Sequence, residues 1–432
     1  MPSYKLTYFD IRGLAETARM LFVLAGEKFE DVRLTSETWP AVKPTTPYGQ
    51  LPLLEVDGKM LAQSKAIYYY LAREFKLYGA DNWESAAIDM VGELLSDMMK
   101  QFSSYRFEKD EAKKAEFKTK FDEALPVGLE RLEGALKKNK GGDGFFVGDK
   151  ISLADIQVFN SFEYVVQYDA AALDKYPKLK AWQARVAASE KLAPYLAKRK
   201  VTEMARELVH LILFLVQFLR IATITMPSYK LTYFDLRGRA EPIRMLFTVA
   251  GVPFEDVRVQ SADWPAMKAK TPFGQMPMLE TDGKVLPQTR AILYYVAREL
   301  KLYGASNWES ALIDVVGELM FDLKKPFAET ILFEKDEAVK AANVKKFIGE
   351  TSPPILAKLE EQLKKNKGGD GFFVGDKISL ADVMFFADID WMPFKDEPNF
   401  VAKYPKLKAL RARLAADKKM AAYLAKRKQT PF

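Results

Sequence analysis

Apolar and polar positions divide the first 200 residues into two halves with different rhythms. Tyr4–Tyr8 and Phe29–Leu34 are rich in apolar, β-branched and aromatic residues, which predicts strands. Between them Ala15–Gly26 has helical spacing and ends on glycine, a helix stop. Leu53–Val56 followed by Asp57-Gly58 predicts a strand running into a hairpin turn, and Ser64–Phe75 is again helical. The order β-α-β, hairpin, helix predicts a small α/β domain over residues 1–77. Beyond it only helical patterns follow, over about 83–107, 112–138, 152–169 and 177–197, with glycines at Gly141, Gly142 and Gly144 as breaks. Ser152 with Asp155 three residues later predicts a capping box at a helix start.

The whole pattern then recurs. MPSYKLTYFD occupies 1–10 and again 226–235, a shift of 225, whereas KKNKGGDGFFVGDKISLAD ends at Asp155 and again at Asp382, a shift of 227. The second copy has therefore gained two residues in between. A unit of about 200 residues is too long for a solenoid repeat and suits one or two domains. The chain thus divides into 1–77 and 78–200, a linker over 201–225, then 226–302 and 303–432. The linker core Leu208–Leu219 is strongly apolar, but it is short of the roughly 20 residues a membrane span needs, and His210, Gln217 and Arg220 interrupt or flank it. It predicts a buried or interface helix. The second unit restarts on its own Met226-Pro227, as an independent protein would.

Composition narrows the chemistry. The chain of 432 residues has 49% apolar and 28% charged residues, a globular balance. Its net charge of +7 is spread among mixed runs such as Glu108–Lys114, which predict a solvated helix face and no nucleic-acid stripe. There is no cysteine, and the single histidine is His210. Disulfides, a protein thiol, Cys- or His-based metal sites and His general bases are excluded. What remains is carboxylate, tyrosine, serine or lysine chemistry, or chemistry carried by a bound small molecule. The N-terminus has no basic segment followed by an apolar run, which predicts no signal peptide and a cytoplasmic setting.

The residues Tyr4-Lys5-Leu6-Thr7-Tyr8-Phe9-Asp10, Arg12-Gly13, Ala15-Glu16, Trp39-Pro40, Gly49-Gln50-Leu51-Pro52 and Gln63-Ser64 together resemble the sigma class of cytosolic glutathione transferases. The resemblance covers both units. It implies an α/β plus all-α fold twice over, a thioredoxin-like domain packed on a helical one. It also implies that Tyr8 and Tyr233 activate glutathione, and that Trp39, Lys43, Gln50, Leu51, Gln63 and Ser64 hold it in the first unit. Their counterparts are Trp264, Lys268, Gln275, Met276, Gln288 and Thr289. Pro52 and Pro277 match the family's cis-proline, and Asp97 and Asp322 match an aspartate that reaches the glutathione of a partner subunit. Glutathione is the implied co-substrate, with a hydrophobic electrophile as second substrate. No metal is implied, because the acidic cluster of the prostaglandin-isomerising members survives only as Glu93, Ser96 and Asp97, and as Glu318, Phe321 and Asp322. Family members are two-fold dimers, so an intrachain pseudo-dimer or a homo-oligomer follows. The linker would allow the former, spanning up to roughly 80 Å when extended.

These residue types suit the reaction. A free thiol has a pKa near 8.5, so roughly 3% is thiolate at pH 7. A tyrosine hydroxyl that donates to sulfur favours the anion, and a lowering by about two units corresponds to about 2.7 kcal/mol. Taken alone, Tyr8 reads as a core or interface tyrosine; its place at a strand end, its recurrence as Tyr233 and the surrounding motif favour the reactive role. A cis-proline would let Leu51 offer its N–H and C=O to a peptide. Gln63-Ser64 at a helix start suits a γ-glutamyl carboxylate. Lys43 suits the glycyl carboxylate, though a solvated lysine fits too, and packing serves Trp39 as well as a ligand role does. The copies differ at one telling place: Leu14 in the first is Arg239 in the second, where sigma-class members usually carry arginine. A cation beside the thiolate lowers its pKa, which predicts better activation in the second unit. The stretches Met98–Tyr105 and Leu323–Thr330 differ and are expected to line the electrophile site. Conjugation leads. Isomerisation of a prostaglandin endoperoxide and a crystallin-like binding or structural role are the alternatives.

Overall fold

The computed structural model describes residues 2–200, 228–392 and 403–430; the apolar linker and its expected helix lie outside the described residues. The chain separates into two compact units, residues 1–226 and 227–432.

In the first unit β1 (Tyr4–Phe9), β2 (Glu30–Leu34), β3 (Leu53–Val56) and β4 (Lys59–Ala62) form one sheet in the order β2-β1-β3-β4. β1 runs parallel to β2 and antiparallel to β3. Side chains alternate across a strand, so Tyr4, Leu6 and Tyr8 share the buried face while Lys5, Thr7 and Phe9 are only half-buried. That alternation carries Tyr8 inward at the end of the central strand pair. Helices α1 (Ala15–Ala25) and α3 (Ser64–Glu74) cover the sheet, and α2 (Trp39–Val42) is a single turn after β2. The helical half follows as α4 (Asn82–Phe107), α5 (Glu111–Lys138), α6 (Leu153–Tyr168), α7 (Pro177–Ala187) and α8 (Leu192–Lys198).

The segment expected as one helix over 177–197 is two. Helix α8 restarts so that Pro194 falls in its first turn, where a missing N–H costs nothing. The predicted capping box is present and does more than cap. Asp155 accepts from the Ser152 N–H (2.9 Å), the Phe146 N–H (3.0 Å) and the Trp182 indole (2.8 Å), so it pins three segments of the helical half.

The second unit repeats this plan with β5 (Tyr229–Phe234), α9 (Glu241–Ala250), β6 (Glu255–Val259), α10 (Trp264–Lys268), β7 (Met278–Thr281), β8 (Lys284–Pro287), α11 (Thr289–Glu299) and α12 (Asn307–Thr330). Its sheet order is β6-β5-β7-β8. α13 (Glu337–Lys346), α14 (Pro353–Lys364), α15 (Leu380–Trp391), α16 (Pro405–Ala416) and α17 (Lys418–Lys426) complete it. One of the two gained residues can be located. FDEALP, residues 121–126 inside continuous α5, corresponds to FIGETSP, residues 347–353. The extra residue falls in a π-helical turn, Phe347–Thr351, between α13 and α14. A π turn absorbs one residue without breaking the helix axis.

A chain of ion pairs ties the two halves of each unit together beside the β1–α1 loop. Arg12 pairs with Glu163 (3.0 Å), Glu163 with Arg199, Arg199 with Glu16 (2.9 Å), Glu16 with Arg19 (3.3 Å) and Arg19 with Asp31 (3.1 Å). Arg237, Asp390, Arg427, Glu241, Arg244 and Asp256 repeat it. Glu16 and Arg19 are each only 1% exposed, so each charge depends on its partners for what water no longer supplies. The basic ends Lys198–Lys200 and Lys426–Lys428 are thereby part of the fold, through Arg199 and Arg427.

Candidate functional site

The β1–α1 loop brings its backbone onto the strand-end tyrosine. The Leu14 N–H donates to Tyr8 Oη at 3.3 Å, and the Arg239 N–H donates to Tyr233 Oη at the same distance. This approach requires glycine. Gly13 has φ +44°, and a Cβ there would lie 2.8 Å from Tyr8 Cε1 and 2.9 Å from Oη. Gly238, at φ +43°, stands equally close to Tyr233 Oη, with a Cβ distance of 2.9 Å. Each tyrosine is 7% exposed. Burial pushes the Tyr8 phenol above its ordinary pKa, with the Leu14 N–H and the Arg19 charge acting against that rise. Tyr8 therefore keeps its proton at neutral pH. Its oxygen already accepts one bond, and its O–H is left to donate.

The other expected glutathione residues belong to elements that converge on this loop. Leu51-Pro52 and Met276-Pro277 are both cis and directly precede β3 and β7, the antiparallel neighbours of β1 and β5. Gln63 and Gln288 immediately precede α3 and α11 in an unusual backbone, φ 73° and ψ 116° in one and φ 74° and ψ 117° in the other. For a side-chain-bearing residue such a conformation costs about 1–3 kcal/mol and persists where function holds it. Its effect is to open the start of an 11-residue helix, whose first N–H groups have no helical partner, next to Ser64 or Thr289. The Gln288 amide also donates to Gln275 Oε1 at 3.2 Å, joining two expected ligand residues in the second unit.

Trp39 and Trp264 begin short helices and pack edge-on against Phe9 (5.6 Å) and Phe234 (5.4 Å) while staying half-buried, so packing is part of their role. Lys43 and Lys268 are exposed. Their stems run over the turn before the cis-proline: Cε lies 3.5 Å from where a Cβ on Gly49 or Gly274 would be, at φ +62° and +63°. Gln50 borders the same turn.

Asp97 and Asp322 are exposed on α4 and α12. Arg239 is exposed, and the contact it makes with Tyr233 is through its backbone N–H. In the acidic cluster Glu93 pairs with Lys65 (2.8 Å), and Glu318 pairs with Arg290 (2.6 Å). Among the described residues no group of three His, Cys, Asp or Glu could hold a metal ion. Met98 and Phe102, expected to line the electrophile site, are buried in the helical half. Met98 packs against Gly128, and Phe102 lies in an aromatic cluster, tilted against Phe121 (5.0 Å) and edge-on to Tyr168 (6.1 Å). In the second unit Lys324 pairs with Asp388 at 3.0 Å, where the first has Met99 and Ser161. One contributor escaped the sequence reading altogether. Tyr68 sits in a run of three tyrosines that looks like helix core, yet its hydroxyl donates to the Leu14 carbonyl.

Comparisons with known proteins match both units of the chain. The glutathione S-transferase N-terminal domain matches residues 4–73 and 229–298, and the C-terminal domain matches residues 96–199 and 321–427. The chain belongs to the glutathione S-transferase family. S-crystallin SL11 of Nototodarus sloanii is 42% identical over 208 residues, covering 48% of this chain and 100% of its own. S-crystallin 4 of Enteroctopus dofleini is 38% identical over 216 residues, 48% of this chain and 100% of its own. Probable glutathione S-transferase 7 of Caenorhabditis elegans is 38% identical over 204 residues, 47% of this chain and 99% of its own. Each relative therefore corresponds to one unit of this transferase-family chain, which carries both domains twice. Glutathione is the co-substrate of the family. Among the described residues no helix is long and apolar enough to cross a membrane.

Proposed function

We propose that each unit is a sigma-class glutathione transferase, activating the glutathione thiol through Tyr8 or Tyr233 and conjugating it to hydrophobic electrophiles. The observation that carries this reading is the buried strand-end phenol whose oxygen is occupied by a backbone N–H. A bond accepted at oxygen makes the O–H a stronger donor, and the low-dielectric surroundings strengthen its bond to sulfur. The thiol proton leaves to solvent and the tyrosine keeps its own. The sulfur lone pair then forms the C–S bond, and the leaving group departs with the pair it shared with carbon. Leu51 and Met276 hold the cysteinyl unit through their backbones, ahead of Pro52 and Pro277. Gln63 with Ser64, and Gln288 with Thr289, take the γ-glutamyl end. Lys43 and Lys268, flanked by Trp39 and Trp264, take the glycyl carboxylate, while Gln50 and Gln275 bridge the two ends. Arg239 adds a cation to the second site. Asp97 and Asp322, exposed on α4 and α12, serve the glutathione of a partner subunit in a homo-oligomer.

A second reading, a crystallin-like binding or structural protein, is favoured by the S-crystallin relatives and by Leu14 in place of arginine. Two assays on the full chain separate the readings: retention on immobilised glutathione, and turnover of a chlorodinitrobenzene-type electrophile. Turnover lost stepwise in Tyr8→Phe and Tyr233→Phe supports catalysis. Retention without turnover in the unsubstituted chain supports the structural role.

A further inference from the structure

The residue whose backbone contacts Tyr8 is held through both of its peptide groups. The Leu14 N–H donates to Tyr8 Oη at 3.3 Å, and the Leu14 carbonyl accepts from the Tyr68 hydroxyl. Tyr68 comes from the first turns of α3 and is 6% exposed. The hydroxyls of Ser64 and Thr17 are its polar neighbours, and the charge of an ionised Tyr8 would be felt there as well. Tyr68 therefore stands where the thiol end of the site, the Leu14 loop, meets the γ-glutamyl end, the start of α3. Leu14 itself is 51% exposed, so no packing of its own side chain fixes this loop. The second unit lacks the device: Leu293 replaces Tyr68.

We infer that Tyr68 is a positioning residue for Tyr8 in the first unit. By anchoring the Leu14 carbonyl it keeps the Leu14 N–H on the Tyr8 oxygen, and so tunes how strongly the Tyr8 O–H stabilises a thiolate. The inference rests on the proposed role of Tyr8. An anchored loop replaces, in this unit, the stabilisation that Arg239 offers in the other.

The test uses the full chain with Tyr233→Phe, so that the thiolate signal reports the first unit. Bound glutathione is titrated by the ultraviolet absorbance of its thiolate, with and without Tyr68→Phe. The expected result is a midpoint raised by about half to one pH unit, a three- to tenfold loss of thiolate below it, with the KM for glutathione changed less than twofold. Tyr68→Leu, the residue tolerated at this position in the second unit, provides an independent variant and should move the midpoint at least as far, since it loses the hydroxyl donor together with the ring. A shift with Leu but none with Phe assigns the effect to packing and overturns the inference, as does an unmoved midpoint in both. Absence of any thiolate band before position 68 is changed overturns the role of Tyr8 itself, and the inference with it.

Discussion

Gly13→Ala is the sharpest probe of the first site, because the geometry sets its size. The new methyl would stand 2.8 Å from Tyr8 Cε1 and 2.9 Å from Oη, about 0.5 Å inside ordinary contact. The tyrosine ring must yield, and it is buried against Phe9. The backbone at φ +44° adds about 1–2 kcal/mol of its own for a residue with a Cβ. The expected loss of stability is about 2–4 kcal/mol. The functional loss should be larger than stability alone explains. If the bound thiol titrates about two units below its free value, some three-quarters is thiolate at pH 7; returning it to about 8.5 leaves about 3%, roughly a 25-fold fall in rate. The assay is turnover together with the thiolate midpoint, in the Tyr233→Phe background and below the melting temperature. Gly13→Ala should then approach the rate of Tyr8→Phe. A folded Gly13→Ala protein whose midpoint stays put, while Tyr8→Phe abolishes the band, would refute the claim that this contact sets the hydroxyl.

The same geometry sets three further expectations. Arg239→Leu should raise the thiol midpoint in the second unit, and Leu14→Arg should lower it in the first, each by about half to one unit; titration in the Tyr8→Phe and Tyr233→Phe backgrounds reads each alone, and equal midpoints with and without the cation would remove Arg239 from the mechanism. Arg199→Ala should cost about 2–4 kcal/mol in urea unfolding, because it strips a charge from Glu16, 1% exposed, which keeps Arg19 and the Tyr195 hydroxyl as partners. Asp382 gives a pH dependence of definite sign. Full burial holds its carboxyl up to about 6, against a backbone and a serine that donate to it. The folded state then binds the proton more tightly than the unfolded one, so this group's contribution is present below about pH 4 and is lost as pH rises through about 6, a change of about 3 kcal/mol. Relative to Asp382→Asn, the unsubstituted chain should gain stability as pH falls from 7 to 4.5 in urea unfolding; a difference constant across that range would show that Asp382 titrates normally.

Much of the fold was legible in the sequence because its signals are local. Strand-like Tyr4–Tyr8, the Gly26 stop, the Asp57-Gly58 turn and the Ser152–Asp155 box each act within a few residues, and each lies where it was expected. The failures are of another kind. Residues 177–197 have unbroken helical spacing, and what divides them is a proline whose cost depends on where the turn restarts. Met98 and Phe102 have the apolar character of a substrate wall, and equally that of the α4–α5 core in which they lie. Periodicity cannot separate the two, since both present apolar side chains at helical spacing. The motif named Tyr8 and the loop beside it, but Tyr68 could not be found that way. Its hydroxyl acts on a carbonyl 54 positions earlier in the chain, and within Tyr68-Tyr69-Tyr70 nothing local marks it out.

The two units therefore differ more than their shared motif implies. Both keep the tyrosine, the close glycine, the cis-proline and the strained glutamine, which are the parts fixed by backbone geometry. They diverge in what surrounds that geometry. The first has Leu14 with a tyrosine anchor beneath it, and the second has Arg239 with Leu293 at the anchor position. In the roles proposed for them, Tyr68 anchors a neutral loop and Arg239 supplies a cation, and these two routes to a stabilised thiolate respond differently to salt. A charge at an exposed position such as Arg239 is screened over about 8 Å at physiological ionic strength, whereas a buried hydrogen bond is not. Raising the salt concentration should therefore lift the thiol midpoint of the second unit and leave that of the first in place. A salt response of equal size in both units would mean that the substitution at this position does not distinguish them.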